Sequence, residues 1–153
     1  MKWKIPGKPK VYEALGVVAD KRIEVSGDEA KVYSSSGNKF YDISYDASKN
    51  AIMCNDNSSY WKGDLGYPAI AYLMKVGVLE YDENLGELLK GVPWKDLNVK
   101  FKNNFDKTVE YILEKLTDRE KQSFELYVEK IIEDIKELDL NLLGKKAKPP
   151  EGY

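Results

Sequence analysis

The chain has 153 residues, 42% of them hydrophobic and 33% charged, with a formal net charge of −2. That composition is globular and large enough for a real core, and it presents no overall basic field for non-specific nucleic-acid binding. The sequence contains no histidine. This removes the commonest general acid–base group, the Ser-His and Cys-His nucleophile pairs and every imidazole metal ligand.

The opening MKWKIPGKPK is charged and lacks the apolar run of a secretory signal. The longest uncharged stretch, Leu65 to Met74, is about half of what crossing a bilayer takes. A single cysteine, Cys54, allows no internal disulfide and fits a reducing compartment. A soluble cytoplasmic protein is expected, with no membrane association. The abundance of Lys and Glu is compatible with a thermophilic source.

In chain order, Trp3 and Ile5 are flanked by Lys2, Lys4, Lys8 and Lys10, read as a solvated terminus anchored by Trp3. Pro9 then suits the first turn of a helix, and Val11, Leu15, Val18 and Ala19 recur at helical spacing, so Pro9 to Ala19 is a short amphipathic helix. Gly16 weakens it slightly. From Arg22 the period changes to two. Ile23 and Val25, then Ala30 and Val32, alternate with charged neighbours around the turn Ser26-Gly27-Asp28. Ser34 to Asn38 is a second turn, Phe40, Tyr41, Ile43 and Tyr45 a third strand, and Asp46 to Asn50 a turn before Ala51 to Cys54. Four short strands in this order predict an antiparallel meander.

A helix opens at Gly66-Tyr67-Pro68, with Ile70, Leu73 and Met74 as its buried stripe, and it is taken as the central helix. Asp82 caps a short segment with Leu85, Leu88 and Leu89, and Pro93 to Leu97 reads as one more helical turn. Trp94 there fits a plug between helices. Asp106 is placed as the cap of a helix bearing Val109, Ile112 and Leu116. Thr117 and Glu120 form a capping box opening a long helix with Phe124, Val128, Ile131, Ile135 and Leu138 on one face. These two helices read as a hairpin whose seam is intramolecular core, so a monomer is expected; the alternative is a dimer seam. The expected organisation is α+β. Residues 1–81 form a core of a four-stranded antiparallel meander and central helix, 82–143 a helical subdomain packed on it, and 144–153 a flexible tail.

The segment from Lys31 to Val78 carries a resemblance. A hairpin ending at Cys54-Asn55-Asp56, followed by Gly66-Tyr67-Pro68-Ala69-Ile70-Ala71-Tyr72-Leu73, resembles the SWIM zinc-binding domain. That family sets Cys-x-Cys on a hairpin and Cys-x-His at a helix start. Here Cys54 keeps one ligand position, and Asp56, Tyr67 and Ala69 stand at the other three. Zinc takes four N, S or O ligands in a tetrahedron, so the resemblance implies a zinc-free ββα core without a cofactor. Tyr60, Trp61, Tyr67 and Ala69 are its apolar substitutes, and Cys54 a small buried hydrophobe. The family implies protein or DNA partners, and the slight acidity of the chain tilts this toward protein.

The candidate binding residues are Tyr60, Trp61, Lys62, Asp56 and Asp64, with no catalytic set and no metal site assigned. Aromatics beside a lysine stack a base or anchor a peptide; the competing reading tucks Trp61 over the old metal position. A non-enzymatic, protein-binding adaptor is therefore expected. The alternative is a small enzyme or ligand binder using the loop of Asp56 and Asp64, and a cluster of Asp56, Asp64 and Asp42 in a cleft would favour it. The basic clusters at the two ends of the chain predict only weak nucleic-acid binding.

Overall fold

Pro9 has its φ fixed in the helical range and no N–H to leave unsatisfied, and helix α1 runs Lys8–Ala19 around it. The computed structural model describes residues 1–151. Within α1 the residues Val11, Tyr12, Glu13, Ala14, Leu15, Gly16, Val17 and Ala19 are all buried. The amphipathic reading of this helix is thus corrected. An apolar surface on every side marks a helix enclosed by others, and Tyr12, Ala14 and Val17 supply the sides that the three- and four-residue spacing leaves out.

Strands β1 (Ile23–Ser26), β2 (Glu29–Tyr33), β3 (Phe40–Asp46) and β4 (Ala51–Cys54) form the expected meander. Each pairs antiparallel with the next, with Ile23 opposite Val32, Val32 opposite Tyr41 and Ile43 opposite Cys54. The turn between β1 and β2 needs Gly27, whose φ is +60°. The sheet has five strands, not four. Strand β5 (Asn141–Leu142) lies parallel to β4, with Asn141 opposite Ala51. Two residues carry no periodicity of their own; β5 exists because Asp139, in the left-handed region at φ 49°, turns the chain back toward the sheet.

Helix α2 (Tyr67–Lys75) lies on β1, β3 and β4, and α1 packs on α2. Around α1 stand α3 (Glu83–Leu88), α5 (Phe105–Leu113) and α6 (Asp118–Leu138), with α4 (Trp94–Lys100) beside α5. Asp82 caps α3 through the Leu85 N–H, and Thr117 with Glu120 makes the capping box of α6. The cap of α5 is Asn104, accepting from the Lys107 N–H, and not Asp106, which sits one residue inside the first turn. Phe124, Val128, Ile131 and Ile135 of α6 are buried within the chain, and Phe124 meets Tyr12 of α1 at 5.5 Å between ring centroids. The seam of α6 therefore faces chiefly α1 and α3, where a hairpin with α5 was expected.

A single core runs from Trp3 to Leu140. Gly16 is its tightest point. A Cβ there would stand 2.6 Å from the Trp94 Nε1, so the glycine that costs α1 some helical propensity seats the Trp94 indole against it. Trp94 is 2% exposed and fixes the direction in which α4 carries its next residues.

The N-terminal segment is part of the fold. Trp3 donates from its backbone N–H to Leu140 and from its indole to the Ile52 carbonyl at 2.8 Å, and Lys4 exchanges hydrogen bonds with Gly63 and Leu65. In the stretch expected as a flexible tail, Lys146 donates to the Tyr60 carbonyl at 3.4 Å; Gly152 and Tyr153 lie outside the described residues.

Candidate functional site

Between β4 and α2 the chain makes one wide helical turn over Ser58–Lys62, closed by Gly63 at φ 74°. Wide turns of this kind recur at functional sites. The N-terminal segment stitches the loop down from one side through Lys4, and Lys146 crosses it from another. The loop forms one wall of a cleft of about 460 Å³. The other walls come from the start of α1, the turn between β2 and β3, and α4 with the approach to α5.

Asp56 holds the floor. It is 4% exposed. Its carboxylate accepts from the Cys54 thiol at 3.0 Å, from the Ser59 hydroxyl and from the Ser59 backbone N–H at 3.3 Å. A buried carboxylate persists only with such partners. It also lies against Gly66, the residue before α2, where any Cβ would collide with both of its oxygens. The N-terminal end of a helix is favourable ground for that negative charge.

Glu13 of α1 is the second buried acid at the cleft. Burial pushes its carboxyl above the ordinary range, while Lys10, Arg22 and a hydrogen bond with Asn98 pull it back. Tyr41 and Tyr67 line the same cleft as the two acids, ring edge to ring face at 6.2 Å and 83°. Burial, then Asp56, pushes the Tyr41 hydroxyl up to about 12. Burial, then Glu13, pushes Tyr67 well up as well. Burial, then Asp56, also raises the Cys54 thiol, which leaves it a hydrogen-bond donor and a poor nucleophile.

Of the five residues singled out in the sequence, Asp56, Trp61, Lys62 and Asp64 all line this cleft. Tyr60 does not line the cleft and meets Trp61 edge-on at 4.8 Å. Trp61 is 72% exposed, so it does not fold over the Cys54 position; the loop's wide turn carries it outward. Asp42 is elsewhere, exposed on β3, and its backbone N–H donates to Asn55. Asp46 caps the short turn after β3.

The positions that the SWIM resemblance assigns to ligands lie close together but carry the wrong chemistry for zinc. Cys54 gives its proton to Asp56, Ala69 offers only a backbone hydrogen bond to the Cys54 sulfur, and Tyr67 is hydrogen-bonded with Tyr41. Among the described residues no three His, Cys, Asp or Glu side chains are grouped as a metal would need. These residues do not fit the ion.

Sequence reasoning missed Lys10, Glu13, Lys39, Lys95, Asn98 and Phe105 as cleft residues. Glu13 did carry a signal, being the one charge inside the apolar run Val11 to Ala19. The lysines carried none, because they come from α1, the turn between β2 and β3, and α4, which only the tertiary packing brings to one cleft.

A family model described as "Uncharacterised conserved protein UCP014422" matches residues 3–141. The chain belongs to this family. No curated protein and no solved structure matches it.

Proposed function

We propose that the protein is a non-enzymatic binding module that engages a protein partner through this cleft, built on a zinc-free SWIM-like hairpin and helix. The observation that carries the reading is the convergence of exposed Trp61 and Lys62 with Asp64 and buried Asp56 on one concave surface. An exposed tryptophan beside a lysine, over a floor already rigid with hydrogen bonds, has the composition of an interaction hot spot.

Two observations favour binding over catalysis. Ser59 is fully buried and spends its hydroxyl on Asp56, and Cys54 is buried and proton-bearing. Neither is an available nucleophile, and no histidine exists to activate one. Nucleic acid is the weaker partner class, since Lys2 pairs with Asp139 at 3.0 Å and Lys8 with Glu129 at 3.6 Å. The basic N-terminal cluster is thus partly neutralised within the fold.

The SWIM-like reading draws support from the hydrogen-bonded Cys54–Asp56 pair at the hairpin end and from the Ala69 backbone facing that thiol. Elemental analysis of protein purified without chelator should give far less than one zinc per chain; one per chain would overturn it.

For the binding reading, the test is capture of partners from a lysate of the source organism by wild type, by Trp61→Ala with Lys62→Glu, and by a Lys31→Glu control on the sheet face. Loss confined to the cleft variant is expected. Equal capture by all three contradicts the reading. Because Asp56 and Asp64 both line the cleft, a ligand-binding or enzymatic role of that pair is the second reading. Turnover or small-molecule binding abolished by Asp64→Asn would promote it.

A further inference from the structure

The three acids that line the cleft are not alike. Asp56 is buried and spends its oxygens on Cys54 and Ser59. Glu13 is buried and hydrogen-bonded with Asn98. Asp64 is only half-buried, and among the described residues its carboxylate has no hydrogen-bond or ion-pair partner.

The backbone of Asp64 is unpaired on one side as well. The Lys4 N–H donates to the Gly63 carbonyl at 2.9 Å, and the Leu65 N–H donates to the Lys4 carbonyl at 3.1 Å, in a parallel bridge between Lys4 and Asp64. In such a bridge the groups of residues 63 and 65 point at Lys4, so the N–H and carbonyl of Asp64 point away from it. No described residue pairs with them. Asp64 is thus a one-residue strand edge, held in place by Lys4, with an unanswered carboxylate of its own. Extended peptides add to edges of this kind, their main chain giving affinity and their side chains selectivity.

Trp61, three residues earlier, lines the same cleft and is 72% exposed. An indole face attracts a cation. The cleft already contains one such contact, the Lys10 ammonium over the Phe105 ring at 4.1 Å. Lys39 and Lys95 have interactions of their own within the protein. Lys62 is exposed to solvent, where its charge is screened. The half-buried charge left unanswered at the cleft is therefore that of Asp64. The volume, about 460 Å³, admits a chain segment and not a folded domain.

We infer that the partner enters the cleft as an extended basic segment, its main chain paired with Asp64 and an arginine set against the Asp64 carboxylate and the Trp61 indole. This rests on the reading of the cleft as the partner site and names the part of the partner that enters it. Arginine fits better than lysine because its planar guanidinium both forks onto a carboxylate and stacks on an aromatic face.

The tryptophans provide the readout, because Trp3 and Trp94 are 8% and 2% exposed. The probes are acetylated, amidated heptapeptides with a central arginine, with citrulline in its place as the uncharged isostere, and with glutamate there. The arginine peptide should change Trp61 emission and shift the Trp61 indole and Asp64 amide N–H resonances. The citrulline peptide should bind about tenfold more weakly and the glutamate peptide more weakly still. Asp64→Asn should cause a similar tenfold loss for the arginine peptide with an unchanged thermal midpoint, because the carboxylate serves no described partner in the fold.

Equal binding of the arginine and citrulline peptides, tighter binding of the glutamate peptide, or no binding of the arginine peptide would overturn the inference. So would a lowered midpoint in Asp64→Asn, which would give that carboxylate a structural duty. If lysate capture depends on Trp61 and Lys62 while the arginine peptide fails, the basic-segment inference falls and the cleft reading stands. If capture ignores the cleft altogether, both fall.

Discussion

Among the described residues two depressions invite comparison, and the one of larger volume is the less interesting. The outer face of β1, β2 and β3 encloses about 550 Å³, lined by residues such as Glu24, Lys31, Asp42 and Ser44 from three consecutive strands. Its charges are exposed and sit in a row, Glu24 opposite Lys31 and Lys31 opposite Asp42, so neighbours balance across the ladder. The cleft of about 460 Å³ is smaller, yet its lining comes from segments spread from Gly7 to Phe105. It buries two carboxyl groups, where the sheet face buries none. Volume does not separate these regions. What separates them is convergent, desolvated polarity, which is costly to assemble and has to be held by dedicated partners.

Substitution should expose that difference most strongly at Asp56. Asp56→Ala leaves the Cys54 thiol and both Ser59 donors without their acceptor, at an expected loss of about 3 kcal/mol. Asp42→Ala on the sheet face should stay within about 0.5 kcal/mol. Urea denaturation of the two variants reads both numbers, and equal losses would erase the distinction.

Gly66→Ala comes next, with an expected cost of about 2 kcal/mol from driving a methyl group into the Asp56 carboxylate. Since one clash causes the loss, the double variant with Asp56→Ala should lose less than the sum of the two single changes. Strict additivity would place the cause elsewhere.

A smaller effect, and one that depends on pH, is expected at Glu13. Burial raises its carboxyl above the ordinary value of about 4.5, so the native state holds that proton more tightly than the unfolded chain. Its contribution to stability is then intact in acid below that value and is lost as pH climbs through the raised one. Wild type and Glu13→Gln should therefore match in acid and diverge toward neutrality, with wild type the less stable. Parallel curves across the range would contradict a desolvated Glu13. Least of all, Trp61→Ala should change stability by under about 0.5 kcal/mol, because the ring packs on little but Tyr60.

How much of this is legible in the sequence follows from the range of the forces involved. The four antiparallel strands, the capping box of α6 and the start of α2 at Gly66 are local and readable, through alternation, a Thr-to-Glu spacing and a proline. Strand β5 is not, since its two residues are recruited by β4 across most of the chain. The burial of α1 on every side is likewise set by helices that fold around it. In the cleft, the run from Asp56 to Asp64 announces itself with adjacent aromatics, a lysine and acids. Lys95 does not, because it reaches the cleft on α4, whose place depends on the Trp94 indole resting on Gly16. A glycine read as a weakness in α1 is the seat that positions one wall of the site.

The most direct test of the cleft as the partner surface replaces single residues with a photo-crosslinking phenylalanine analogue in cells of the source organism. The substituted positions are 61 in the cleft and 31 on the sheet face. Irradiation should yield a discrete adduct with another protein at position 61 and none at position 31. An adduct at 31 with none at 61 would contradict the assignment and move the interaction surface to the sheet.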